Sequence, residues 1–153
     1  ESGKLIGISI EEGSVDFLDG LEDGFDWSDL VGDIEWGIVT PFRRLVFEAL
    51  LDNVPRGSLI TYSELASAAG SPGSSRAVGS ALSSNPWPLV VPCHRVVRSN
   101  GHIGPYSAGS GIFTKRSLLV SEGLGIDAEF RFDQKNLMKI AREARDATIQ
   151  TKM

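Results

Sequence analysis

The chain has 153 residues, 41% of them hydrophobic, with 15 Lys+Arg against 20 Asp+Glu, a net charge of −5 and one cysteine. That length buries one ordinary core and a small satellite unit but not two full domains, and a single thiol excludes an internal disulfide. With only His94 and His102 beside it, no CxxC or HExxH spacing is present from which a zinc site is built.

In chain order, Leu5–Ile10 alternates as a strand does, Glu11–Ser14 reads as a turn and Val15–Leu18 as a second short run, together a β-hairpin. Residues 19–37 mix Asp, Glu and Gly with Trp27, Leu30, Ile34 and Trp36, an acidic connector that is irregular or briefly helical. From Thr40 the pattern sharpens. Thr40 caps, Pro41 takes the first turn, and Phe42, Leu45, Val46, Ala49 and Leu50 recur at helical spacing, a helix over 41–53.

Pro55-Arg56-Gly57 turns the chain, Leu59–Tyr62 is extended, and Ser63–Ala69 is a helix stopped by Gly70. Ser74–Leu82 is a second helix, nearly all small residues apart from Arg76, which completes helix-turn-helix spacing. Asn85-Pro86-Trp87-Pro88 is a shaped loop, because its prolines remove donors and fix the backbone. The apolar run Leu89–Val91 then leads into Pro92-Cys93-His94-Arg95-Val96, a Gly/Ser-rich loop from Ser99 to Gly111, a helix over 112–122 and an amphipathic tail helix over 133–148.

The fold expected is α+β: a small N-terminal β unit with its acidic connector over residues 1–39, then a mainly helical, winged-helix-like domain over 40–153 holding the helix-turn-helix and the loop around Cys93. Charge divides along the same line. Residues 1–40 carry one basic and eleven acidic side chains, whereas residues 41–122 carry eight basic and four acidic. A basic middle is the electrostatic footprint of a polyanion partner. No signal-peptide pattern, lipidation box or apolar run of about eighteen residues is present, so no membrane partner is expected and the location expected is cytoplasmic, or nuclear in a eukaryote.

The chemistry converges on Cys93. An imidazole beside a thiol accepts its proton or stabilises the thiolate, but adjacent residues point apart, so a water-bridged pair of Cys93 and His94 is expected. Glu122, the one carboxylate between Glu64 and the tail, would hold the histidine in its tautomer. The small residues Ala77, Gly79, Ser80 and Ala81 suit close approach to a duplex while Arg76 reaches in. Tyr62, Tyr106 and Ser107 supply walls of the kind that hold an extruded base. Each feature alone has a plainer reading: a buried structural thiol, tight helix packing, half-buried tyrosines.

Taken together, the residues resemble a known family. Thr40-Pro41-Phe42, Gly57 through Tyr62, Leu65-Ala66, Arg76-Ala77-Val78-Gly79, Asn85-Pro86, Pro88, Val91 through Val97, Gly101, Gly104, Tyr106, Gly109, Lys115, Leu118-Leu119 and Glu122-Gly123 look like the C-terminal domain of the O6-alkylguanine-DNA alkyltransferases. The resemblance implies irreversible, single-use transfer of a methyl or other alkyl group from O6-alkylguanine in double-stranded DNA to Cys93, with no cofactor and no metal, by a monomer. It implies a relay of Cys93, water, His94 and Glu122; Asn85 ordering the turn; and Tyr62 donating to the departing base. Arg76 would enter the base stack from a helix in the minor groove, with Ala77, Gly79, Ser80 and Arg98 also against DNA. Val91, Val96, Tyr106 and Ser107 would bound the substrate pocket, with Trp87 and Pro88 at its rim. The chain departs from the family in its short N-terminal region, in Trp87 and in Pro105.

Three other readings compete. An alkyltransferase-like protein that flags lesions without transfer has another residue where this chain has Cys93. A winged-helix regulator would need base-reading side chains that a Ser/Ala/Gly helix lacks. A cysteine hydrolase using Cys93, His94 and Glu122 would turn over, whereas a transferase stops after one event.

Overall fold

In the computed structural model, which describes residues 4–9 and 27–138, the apolar spacing after Thr40 becomes helix α1 (Pro41–Asn53). The Thr40 hydroxyl accepts from Arg43 N at 3.2 Å, and Val46, Phe47, Ala49 and Leu50 are buried. Leu45, in the same spacing, faces outward. Strand β1 (Ile60–Thr61) runs into α2 (Tyr62–Ala68), so Tyr62 opens the helix and does not end the strand. Thr61 caps α2 by accepting from Glu64 N at 3.1 Å. Gly70, at φ +85, turns the chain toward α3 (Ser75–Ser83). These three helices pack on one another through Phe47, Leu50, Leu65, Val78 and Leu82, which lie in one core.

Cys93–Arg95 forms a short 3₁₀ turn leading into β2 (Val96–Val97), which pairs in parallel with β1 in the register Ile60↔Val96 and Thr61↔Val97. On the other side of this pair, Leu59 N donates to Asn136 O (3.0 Å) and Met138 N to Leu59 O (2.7 Å), so the end of the described chain adds a third extended segment. Where the tail helix is expected to begin, Asp133 caps a single 3₁₀ turn, Gln134–Asn136, and Leu137 and Met138 follow as extended chain beside β1; residues 139–148 lie outside the described residues.

The loop after β2 is a wing. Arg98 N donates to His102 O (3.1 Å), Ile103 N to Phe130 O (2.9 Å) and Phe132 N to Gly101 O (3.0 Å). Helix α4 (Ile112–Ser121) and this wing share a second, smaller core of Leu59, Val97, Ile103, Leu119, Leu124 and Phe132.

Of the expected N-terminal hairpin, Val15–Leu18 lies outside the described residues. Within Leu5–Ser9 the ladder reduces to one parallel bridge, Leu5↔Ile34. The connector forms two 3₁₀ segments, Trp27–Asp33 and Trp36–Ile38. Both stretches pack on the main core through Leu5, Ile8, Trp27, Leu30, Ile34 and Trp36. Among the described residues no helix is long and apolar enough to cross a membrane.

Candidate functional site

Three elements meet around Cys93: the loop after α3, the 3₁₀ turn before β2, and the segment leading into α4. Asn85 organises the first. Its Oδ1 accepts from Trp87 N (2.9 Å), while Nδ2 donates to Val91 O (3.0 Å) and to Cys93 Sγ (3.2 Å). Burial pushes the Cys93 thiol up; the Asn85 hydrogen bond and the charge of Lys115 oppose that shift.

On this tight turn His94 is buried as well. His94 Nε2 lies 2.7 Å from Glu122 Oε2, at the C-terminal end of α4. Arg95 completes the pair as a fork: Nε donates to Glu122 Oε1 and Nη2 to Oε2, both at 2.9 Å, and Nη1 donates to Val54 O (3.0 Å) just past α1. Burial would raise the Glu122 carboxyl, but His94 and Arg95 overcome it and hold the group well below the usual carboxylate range. Burial lowers His94. The Glu122 carboxylate opposes that shift, and Nε2 facing it is assigned as the donor from its partner. That leaves Nδ1 as an acceptor, buried and with no protein hydrogen-bond partner among the described residues. A buried base without a partner can take a proton.

Above the thiol is a cavity of about 140 Å³ lined by Tyr62, Gly79, Leu82, Ser83, Cys93, Pro105, Tyr106 and Ser107. The Tyr106 hydroxyl is buried there and faces the Cys93 sulfur. Burial, then the neighbouring sulfur, raises Tyr106 well above its ordinary value, and burial likewise raises Tyr62. Beneath Tyr62 is Lys115, fully buried, whose Nζ donates to Val96 O (2.7 Å) and Pro105 O (3.1 Å) and lies 5.9 Å from the Tyr62 ring centre. Burial lowers its amine to about 7. Gly104, at φ +81, lets the chain pass closely: a Cβ there would come within 3.4 Å of both Tyr62 Oη and Arg98 Cγ.

Of the residues expected at the site, the structure brings Cys93, Tyr62, Gly79, Tyr106 and Ser107 into one cavity, with Asn85 on the sulfur and His94 and Glu122 behind it. Arg76, Ala77 and Ser80 are exposed on α3, opposite its buried Val78, Ala81 and Leu82. Arg98 is exposed on the wing and shares an open cleft of about 300 Å³ with Tyr62 and Ser75.

Three expectations about the pocket need correction. Trp87 is not at its rim but fully buried in the main core, edge-on to Trp36 (5.7 Å) and Phe47 (6.2 Å), with Nε1 donating to Leu5 O at 2.9 Å. Pro88 is buried too, bridged to Val91. Val91 and Val96 do not line the cavity, and their carbonyls are engaged: Val91 O accepts from Asn85 Nδ2 and Cys93 N, and Val96 O from Lys115 Nζ. Sequence reasoning gave no role to Arg95, Leu82 or Lys115. Arg95 had a readable signal, since on a tight turn it follows His94 toward the same carboxylate.

A family model described as 6-O-methylguanine DNA methyltransferase, DNA binding domain, matches residues 41–124. A methylated-DNA–protein-cysteine methyltransferase of Methanothermobacter thermautotrophicus is 45% identical over 113 residues, 74% of this chain and 59% of that protein. The chain spans about half the length of the named relatives it matches. Among solved structures, the O6-methylguanine-DNA methyltransferase of Pyrococcus kodakaraensis superimposes with a TM-score of 0.60 at 42% identity, covering 78% of this chain and 68% of the other. An alkyltransferase of Mycobacterium tuberculosis in complex with DNA does so at 0.52 and 42% identity, covering 56% of this chain and 50% of that one.

Proposed function

The chain belongs to the 6-O-methylguanine DNA methyltransferase family, whose DNA-binding-domain model it matches over more than half its length, and on that premise we propose that it repairs DNA by taking an alkyl group from the O6 of guanine onto Cys93. The observation that carries this reading is the sulfur itself: a buried Sγ on the wall of a small cavity, held by Asn85, on the residue next to a buried imidazole that is paired with Glu122.

The proposed steps use the groups gathered around the sulfur. His94 Nδ1 takes the thiol proton through a bridging water, and the imidazolium that forms is stabilised by Glu122, which Arg95 keeps ionised. The thiolate attacks the alkyl carbon in line; the S–C bond forms as the C–O6 bond breaks, and the electron pair leaves with guanine. Tyr62 donates to the base as charge develops on it, and the proton given up by the thiol ends on guanine. The product thioether has no route back to a thiol, so each molecule acts once. Helix α3 enters the minor groove with Ala77, Gly79 and Ser80 against it, and Arg76 fills the gap left by the extruded nucleotide. The protein acts as a monomer where cellular DNA is, in cytoplasm or nucleus.

A lesion-flagging protein without transfer is not favoured, since this chain keeps the cysteine and its relatives carry the transferase name. The test is intact-protein mass after incubation with excess duplex containing O6-methylguanine, beside Cys93→Ala. A gain of one CH₂ on the wild type alone, with the lesion returned to guanine, is expected. No gain, with tight lesion-selective binding, would move the assignment to the flagging class.

A further inference from the structure

We propose that the face formed by His102, Arg116 and Arg131, backed by Phe113 and Phe130 and continuous with Arg98, is a second DNA contact that seats the phosphate backbone of the duplex beside the lesion. This rests on the reading of the chain as a duplex-binding transferase but uses none of the reacting groups.

The face is built from the wing and α4. Phe113 and Phe130 meet edge to face at 5.4 Å, and the Arg116 guanidinium lies 4.5 Å from the Phe130 ring centre and 5.8 Å from that of Phe113. Stacking on rings orients a guanidinium while leaving its charge and N–H edges for an anion. Phe130 adopts φ +62, a region that side chains rarely occupy, and the turn holds it there: Phe130 N donates to Asp127 O, while Asp127 Oδ1 accepts from Glu129 N and Arg131 N. Arg131 is exposed, and its Nη1 donates to Asn100 O at 2.9 Å, which places the guanidinium at the wing tip.

Among the described residues no carboxylate neutralises these cations. Arg44 and Arg95 each form an ion pair, but among the described residues Arg98, Arg116 and Arg131 have no carboxylate within ion-pair distance. His102 registers the excess. Partial burial, then the charges of Arg98, Arg131 and Lys115, push its imidazole below the ordinary value, and its Nδ1 accepts from Gly104 N.

Continuity selects the occupant. Arg98, Ser99 and Asn100 form one side of the cleft whose other side includes Tyr62 and Ser75, the first residue of α3. A polyanion lying against α3 therefore continues onto the wing, whereas an acidic protein segment would have no reason to begin there.

The test is fluorescence anisotropy on duplexes with and without O6-methylguanine, across roughly 50–200 mM salt. Arg116→Gln and Arg131→Gln should each weaken binding by about three- to tenfold at low salt and flatten the log–log salt slope by about one phosphate contact. Arg116→Lys and Arg131→Lys should keep the slope, and Arg44→Gln, in the α1 ion pair with Glu48, should match wild type. An unchanged slope in the Gln variants, or an equal loss in the Lys variants, would overturn the contact. If wild type takes up no alkyl group while the Gln variants still lose slope on undamaged duplex, the contact stands and the reading of Cys93 fails.

Discussion

Lys115 has no exposed surface, and its amine is satisfied by two backbone carbonyls, Val96 O and Pro105 O. In an unfolded chain a lysine holds its proton to roughly pH 10.4, whereas here release begins near pH 7. Between those values the unfolded state binds more protons, so this group makes stability rise with pH across that window and contributes no slope below it. Lys115→Met removes the term. The wild-type unfolding free energy minus that of the variant should climb by on the order of a few kcal/mol between about pH 7 and 10, followed by urea melts. A flat difference would mean the amine titrates as if exposed. Residue type concealed this position, because a lysine on a helix reads as a solvated face unless its carbonyl partners, at positions 96 and 105, are known. The thiol, its histidine and Glu122 were legible because their chemistry is carried by residue type, and Arg95 was missed because its contribution is geometric.

At the scale of elements, the four helices follow the sequence pattern within a residue or two, since caps and apolar spacing are local. Thr61 has two local tasks, pairing with Val97 in the sheet and capping α2 one residue before Tyr62. Thr61→Ala should cost about 1 kcal/mol in denaturant melts, and Thr61→Ser, which keeps the acceptor oxygen, should recover most of it. Equal losses in both variants would place the effect in sheet packing. The extended segments were harder to read. Leu5 finds its partner in Ile34, and Leu137 finds Leu59, pairings across long stretches of chain that no short window contains. The segment at 133–138 has the polarity of a helix start, but the open edge of β1 takes it instead.

Over the whole molecule, Trp87 joins the N-terminal stretches to the part that resembles the family. Two flanking prolines mark its segment as a loop, and loops are usually superficial; only the fold shows the indole between Trp36 and Phe47 with its N–H on Leu5 O. Trp87→Phe keeps the ring packing and gives up the bond, so a loss of about 1 kcal/mol is expected, against about 3–5 kcal/mol for Trp87→Ala, both measured by thermal unfolding. A Phe variant as damaged as the Ala variant would mean that a ring without the N–H and the bulk of the indole restores none of the stability. A different consequence follows from the lone sulfur. All thiol in these 153 residues is Cys93, buried and outside any disulfide; under the proposed function, a thiol assay on the denatured chain would count the molecules that had not yet reacted, and repair history would become a stoichiometric inventory, readable without any DNA in the tube.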